Sequence, residues 1–258
     1  MRARIVGGVM TVLIACSPGT RESPPEVRPS GAPTVEPEVA LRHERELDEE
    51  VGPRAAGSQE EQAASVYITA HLQRAGYVVF LDAVPVGNLV RSTNVVARPP
   101  SSAPARVAVV AAYDTRTDEA QGGAAVGLLL ELARALAVAA PDHRVQFVAL
   151  GAEHAEVGGG LLGSRRLAQD LNEDATVVVI GDVGDRVRCL ATGGSAESKL
   201  APFIPDAPGP CSELSDPPLD LAPHRTTEVF EAAGFDTVEV SGDLRAASEV
   251  IMGFLSGR

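Results

Sequence analysis

Glu153 and His154 are neighbouring side chains that could transfer protons, and a Gly-Ala pair separates them from a mostly apolar run, residues 145–150. A run of this length bounded by turn residues is typical of a buried strand. In open α/β sheets, functional groups lie beyond the carboxyl ends of the strands, which is where both residues fall. A carboxylate can act as a general base, and an imidazole can move a proton or bind a metal. The sequence therefore predicts a candidate site at this strand end.

The segments around this pair resemble the zinc aminopeptidase family that also contains glutaminyl cyclase and glutamate carboxypeptidase. Its members carry a strand, a G-A-E-E turn and then G-L-L-G-S at the start of a helix. This chain has GAEH at residues 151–154 and GLLGS at residues 160–164. A G-P-R-x-x-G-S segment precedes the first long helix of the family, and it is present here at residues 52–58. The resemblance covers about residues 48–256 and implies the fold of that family.

The resemblance also implies a set of site residues. The chemistry of the family needs two close zinc ions, which activate a shared water while a Glu takes its proton. Glu153 matches that catalytic Glu, and Asp182 matches one of the two non-bridging carboxylate ligands. Asp114 matches the residue that orients the first His ligand from behind it. His154 stands where the family has a Glu ligand; a His can bind zinc, but a partly exposed His without a ligand role is the interpretation we favour.

The other places in this ligand set lack a metal-binding residue. Ala112 stands where the first His belongs, so that Asp114 is expected to have lost its partner. Gln121 falls near the place of the bridging Asp, and a neutral amide is a poor bridge between two dications. The loop with the last His is deleted, and His224 does not occupy its place. The S-D-H segment of the family is altered to RTT at residues 225–227.

The N-terminus has the features of a bacterial lipoprotein signal. Two arginines precede an apolar run, residues 5–15, which ends in the lipobox-like tetrapeptide LIAC. We predict a signal peptide over residues 1–15 and acylation, for example with palmitate, at Cys16. The alternative is an ordinary signal peptide or anchor with a chance cysteine. The prediction implies a membrane partner through the lipid and a place in the cell envelope, at the outer membrane or the periplasmic face if the cell is Gram-negative.

The remaining chain divides into a tether and one domain. Residues 16–36 are rich in Pro, Ser and Gly, a composition typical of a flexible linker. Residues 37–258 alternate predicted strands and helices, which indicates a three-layer α/β/α domain around a central mixed, mostly parallel sheet. The predicted strands cover residues 77–83, 92–97, 107–112, 144–150, 176–180 and 237–240. The predicted helices cover residues 36–50, 58–76, 124–139, 161–171, 227–233 and 244–255.

Three local patterns add detail to these elements. The continuous apolar run 107–112 predicts a strand in the centre of the sheet. Ser58, with Glu61 three residues on, predicts a capping box at the start of the second helix. The inward side of that helix is predicted to carry Ala64, Val66, Tyr67, Leu72 and Ala75. Residues 201–223 contain seven prolines and are predicted to form a long loop.

Composition excludes one class of partner and leaves a cysteine pair to explain. The formal net charge of −13 argues against nucleic acid, because phosphates need cationic side chains. Aromatic residues make up only 3% of the chain, so the core must consist of aliphatic side chains. Cys189 and Cys211 form a disulfide candidate in an oxidising compartment, and two free thiols are the alternative.

Two functions are compatible with these patterns. The first is a lipid-anchored protein with the zinc-aminopeptidase fold, no peptidase activity, no cofactor and a role in binding an unknown protein or peptide partner. The second is an atypical hydrolase, of aminopeptidase or glutaminyl cyclase type, in which His154 and Asp182, with or without Asp114, hold a single zinc and Glu153 is the base. We favour the first, because the lost ligands would have supplied most of the binding energy of the metal.

Overall fold

The computed structural model of the chain describes residues 34–87, 89–100, 103–204 and 225–257. The predicted signal peptide, Cys16, most of the predicted tether, Cys211 and His224 lie outside the described residues. Gly31–Arg258 form a compact unit of their own, and a compact unit with its own core is able to fold independently. Within the described residues, no helix is long and apolar enough to cross a membrane.

One seven-stranded sheet organises this unit. Its strands are β1 (Val78–Val86), β2 (Val90–Arg98), β3 (Val107–Ala112), β4 (Val145–Leu150), β5 (Thr176–Gly184), β6 (Leu190–Gly193) and β7 (Asp236–Asp243). Their order across the sheet is β1-β2-β4-β3-β5-β7-β6. The four strands β4, β3, β5 and β7 are parallel to one another, and the outer strands run antiparallel to their neighbours. The predicted mixed sheet is confirmed, with β3 at its centre.

Six α-helices cover both faces of the sheet. They are α1 (Pro37–Arg45), α2 (Gln59–Arg74), α3 (Gly123–Ala139), α4 (Leu162–Ala168), α5 (Arg225–Ala232) and α6 (Leu244–Ser256), with a π-helical turn at Glu46–Val51. Because successive side chains of a strand point to opposite faces, β3 contributes side chains to two separate hydrophobic cores. Val109 and Ala111 pack in the larger core, whereas Ala108 and Val110 pack in the smaller one. This arrangement gives the three predicted layers.

The second helix shows one correct and one wrong prediction. The Ser58 hydroxyl accepts the backbone N–H of Glu61 at 3.0 Å, as a capping box requires. The inward stripe, however, runs through Ala64 and Ile68 at a spacing of four residues. Val66 lies off this stripe and is 63% exposed, so its predicted burial is wrong.

Arg54 in the GPRAAGS segment is a fully buried cation with all five of its N–H groups engaged. It donates to four backbone carbonyls, including those of Tyr113 and Gln121, and pairs with Asp48 at 2.9 Å. Both carboxylate oxygens of Asp48 also accept the N–H of Gly123, at the start of α3. Arg54 therefore fixes the end of β3 and the loop that leads into α3.

Cys189 is fully buried directly before β6, and it is disulfide-bonded. The predicted partner, Cys211, lies outside the described residues, so the Cys189–Cys211 pairing stays a prediction. The short strand β6 was not predicted from the sequence.

Candidate functional site

A cleft of about 1000 Å³ lies at the carboxyl ends of the parallel strands β3, β4 and β5. Its lining brings together the side chains that the sequence singled out, which lie far apart along the chain: Asp114, Glu153, His154 and Asp182. Ala112 and Gln121 also line it. The topology explains this convergence, because neighbouring parallel strands end at the same edge of the sheet.

Asp114 holds the turn that carries the candidate acid and base. Its Oδ1 accepts the backbone N–H of Glu153 at 2.9 Å, and its Oδ2 accepts that of His154 at 2.8 Å. By the resemblance, Ala112 replaces the His that Asp114 would orient, and the carboxylate instead accepts these two backbone N–H groups. A carboxylate that loses one neighbour remains satisfied where backbone N–H groups are within reach, and here β4 ends beside β3 and supplies two.

A third N–H group of the same turn is also held by a buried side chain. The N–H of Gly151 donates to Oδ1 of Asn94 at 3.1 Å. The backbone N–H groups of Gly151, Glu153 and His154 thus donate to side chains of other segments, and these bonds fix the conformation of the turn.

Backbone strain accompanies this turn. Ala152 and Leu161 have positive φ angles of 56° and 58°, which are uncommon for residues other than glycine. Two backbone hydrogen bonds close the loop between them, from the N–H of Leu161 to the carbonyl of Glu153 at 2.9 Å and from the N–H of Leu162 to that of Ala152 at 3.1 Å. Strain of this kind persists only where the surroundings over-determine the conformation.

Both carboxylate oxygens of Glu153 are engaged by the protein. Oε1 accepts the backbone N–H of Ser164 at 2.7 Å, and Oε2 accepts the hydroxyl of Thr226 at 2.7 Å. The side chain is buried, and this burial raises the pKa of Glu153, against the opposing effect of the two hydrogen bonds. Glu153 thus lines the cleft with one protein hydrogen-bond donor on each carboxylate oxygen.

Thr226 is a site residue that the sequence did not reveal. It lies in α5, within the RTT segment that replaces S-D-H. The altered segment was a signal that this place had changed, but nothing in it indicated that the threonine hydroxyl would reach Glu153. Ser164, in contrast, comes from the GLLGS segment, where the first turn of α4 has unpaired backbone N–H groups.

His154 is the more accessible of the pair, with 43% of its side chain exposed. Its Nδ1 lies 3.4 Å from Oδ1 of Asp114. Burial acts to lower the pKa of His154, but the hydrogen bond and the charge of Asp114 outweigh that effect and raise it.

The remaining cleft residues do not complete a two-zinc centre. The Gln121 side chain is exposed and donates from Nε2 to the carboxylate of Glu119 at 2.8 Å. The backbone carbonyl of Gln121 accepts a hydrogen bond from Arg54. Asp182 is exposed at an irregularity in β5, between Ile180 and Val183. Among the described residues, no group of three or more His, Cys, Asp or Glu side chains is placed to hold a metal ion. The donors present do not fit the pair of zinc ions that the resemblance implies.

The family follows from comparison with known proteins. Residues 94–222, half of the chain, match the model of peptidase family M28. The chain belongs to peptidase family M28. None of the curated proteins matches it.

Solved structures with the same fold cover nearly the whole domain. A leucine aminopeptidase precursor from Bacteroides thetaiotaomicron aligns with a TM-score of 0.68 at 15% identity, over 88% of this chain and 99% of that one. A glutaminyl cyclase from Fimbriiglobus ruber gives 0.67 at 18% identity, over 87% and 96%. A zinc aminopeptidase from Bacillus subtilis gives 0.63 at 14% identity, over 87% and 95%. At these identities the similarity establishes the fold alone.

Proposed function

We propose that this chain is a lipid-anchored envelope protein that uses the M28 fold as a binding module for a peptide or protein partner and lacks peptidase activity. One observation carries this proposal. Among the described residues, no group of three or more His, Cys, Asp or Glu side chains is placed to hold a metal ion, so the cleft lacks the ligands for an ion that would activate water. Glu153, which would have to take the proton, is buried and already accepts the N–H of Ser164 and the hydroxyl of Thr226.

The donor set supports the same proposal. By the resemblance, Ala112 and Gln121 stand where an active member would have a His and a bridging Asp. Asp114 already accepts two backbone N–H groups, and Nδ1 of His154 lies 3.4 Å from Oδ1 of the same carboxylate. Two close dications need several carboxylates to offset their repulsion and lost hydration.

The lipid anchor rests on the N-terminal sequence. A basic and apolar segment ending in LIAC is the pattern on which bacterial signal cleavage before Cys16 and acylation of that residue depend. Metabolic labelling with a clickable palmitate analogue tests it. The label should mark the wild-type chain and be absent from Cys16→Ala; equal labelling of the two would overturn the anchor.

The inactive site is tested by metal content and hydrolysis on the purified unit Gly31–Arg258. After dialysis against zinc we expect no stoichiometric pair of zinc ions and no hydrolysis of leucine anilides. Two zinc ions per chain, together with hydrolysis that Glu153→Gln abolishes, would overturn the proposal. One zinc per chain, lost in His154→Ala, would overturn it in favour of a single-zinc hydrolase similar to glutaminyl cyclase.

A further inference from the structure

The β1–β2 hairpin extends beyond the rest of the sheet. The two strands pair with each other over nine residue pairs, from Val78–Arg98 to Val86–Val90. The next contact, from β2 to β4, covers only Val95–Ala97. β1 is an edge strand of the sheet. The half of the hairpin near its turn therefore has no strand beside it among the described residues.

One face of this half is buried and the other is open. Val84 and Val86 pack with Ala152 and Ala155 beside the cleft. Because side chains alternate along a strand, the opposite face of β1 presents Leu81, Ala83 and Pro85. We define the apolar tip as the exposed apolar side chains of the open face and of the turn: Leu81, Ala83, Pro85 and Leu89.

The exposure of the apolar tip is too large to serve folding. Leu89 is 96% exposed and Leu81 is 61% exposed. Scattered single apolar residues on a surface are ordinary, but a cluster of them is typical of an interaction site. Leu89 is left almost uncovered by the part of the chain that the structure describes, so a partner that covers it would gain apolar burial.

The charge of the hairpin differs from that of the chain. Residues 78–98 contain a single acidic residue, Asp82, and its carboxylate pairs with Arg166 at 3.1 Å. Arg91 lies opposite Pro85, on the open face, and Arg98 lies over the ring of Phe80 at 5.4 Å. Neither arginine forms a salt bridge with another described residue. With two arginines and one aspartate, residues 78–98 carry a formal net charge of +1 in a chain of net charge −13.

We propose that the apolar tip and Arg91 form a membrane-docking surface for a bilayer of anionic phospholipids. Leu89, the most exposed large hydrophobic side chain of the described residues, lies at the turn that ends the hairpin. Apolar side chains flanked by arginine suit the boundary between acyl chains and anionic headgroups. The surface deepens the proposed lipid anchoring, and it rests on that proposal because the anchor would place a membrane nearby.

Vesicle co-sedimentation of the unit Gly31–Arg258, which lacks Cys16, tests this surface. The wild-type unit should sediment with vesicles of phosphatidylglycerol and phosphatidylcholine, and more weakly with phosphatidylcholine alone or at 1 M salt. Leu89→Asp should weaken the partition coefficient by on the order of tenfold or more, and Arg91→Glu should weaken it on anionic vesicles only. The matched controls are Val138→Asp, at a valine that is 56% exposed, and Arg106→Glu, at another exposed arginine.

The outcomes separate the alternatives. No sedimentation with any vesicle, or equal loss in Val138→Asp, would overturn the docking surface. A dimer in analytical ultracentrifugation that Leu89→Asp dissociates would instead assign the tip to a second copy of the chain. Because the unit tested carries no acylation site, failure here leaves palmitate labelling of the full chain, and hence the lipid anchor, unaffected.

Discussion

The hydroxyl of Thr226, in α5, donates a 2.7 Å hydrogen bond to Oε2 of Glu153, in the turn after β4. The two residues are 73 positions apart in the sequence. This bond and the one from the N–H of Ser164 occupy both oxygens of a buried carboxylate. They make Glu153 part of the connection between the two elements.

Thr226→Val should therefore destabilise the domain, because it leaves one oxygen of a buried carboxylate without a donor. The expected loss in free energy of unfolding is about 1–3 kcal/mol, measured by urea denaturation. Thr226→Ser keeps the hydroxyl and should lose much less. A double-mutant cycle with Glu153→Gln should give a clear coupling energy; a coupling near zero would show that this bond does not stabilise the fold.

Asp114→Asn should loosen the turn that Asp114 holds. An amide offers one oxygen in place of two, so one of the two backbone N–H groups then faces an NH₂ group. We expect a loss of about 2 kcal/mol and faster amide hydrogen exchange at Glu153 or His154.

The same substitution should lower the pKa of His154, because the charge of Asp114 acts to raise it. NMR titration of the imidazole measures this directly. Asp118→Asn, at an exposed position in the same cleft, is the matched control and should change neither quantity much. An unchanged His154 titration in Asp114→Asn would contradict the interaction.

Glu61 should make stability depend on pH. Burial raises the pKa of Glu61 to about 7, although Ser92 and the N–H of Gly57 donate hydrogen bonds to it. Since its pKa in the folded state exceeds that in the unfolded state, its contribution is fully present below about pH 4.5 and is lost as pH rises through 7. The shift corresponds to about 3 kcal/mol between those limits.

The measurement compares unfolding free energies of the wild type and Glu61→Gln from pH 5 to 8. Subtracting the two curves removes the contributions of other groups, and the wild type should lose stability relative to the variant as pH rises. Glu60→Gln, at the exposed neighbouring position, should give a curve parallel to that of the wild type. Parallel curves for Glu61→Gln as well would place the pKa of Glu61 near its ordinary value.

The elements with strong local patterns were predictable, and those set by distant contacts were not. The apolar run of β3 predicted both its bounds and its central place. β6 has only four residues, and its pairing with β7 depends on a close approach in which the carbonyl of Cys189 accepts the N–H of Asp243. Gly242 permits that approach, because a Cβ there would lie 2.2 Å from the same carbonyl oxygen.

The candidate site likewise has a part that the sequence predicted and a part that it did not. The strand-end rule predicted that Glu153 and His154 would lie at a functional edge of the sheet, and the order of the strands places Asp114 beside them. The hydrogen bond from Thr226 to Glu153 could not be predicted, because it depends on where α5 packs. A hydroxyl in a helix far along the chain carries no local signal of the carboxylate that it contacts.

Arg54→Lys provides a test of the scaffold that positions the cleft. An ammonium group has three N–H donors at a single point, whereas the buried guanidinium uses five across a plane. The substitution should leave two of the five acceptors, which are four carbonyls and Asp48, without a donor. The expected cost is about 3 kcal/mol or more in free energy of unfolding, measured by urea denaturation.

Arg74→Lys is the matched control, since Arg74 is exposed and, among the described residues, donates to a carbonyl of its own helix. Because the carbonyl of Gln121 is among the lost partners, proteolysis in the loop before α3 should accelerate in Arg54→Lys well before global unfolding. Equal stability of the two variants would contradict the view that Arg54 organises this edge of the fold.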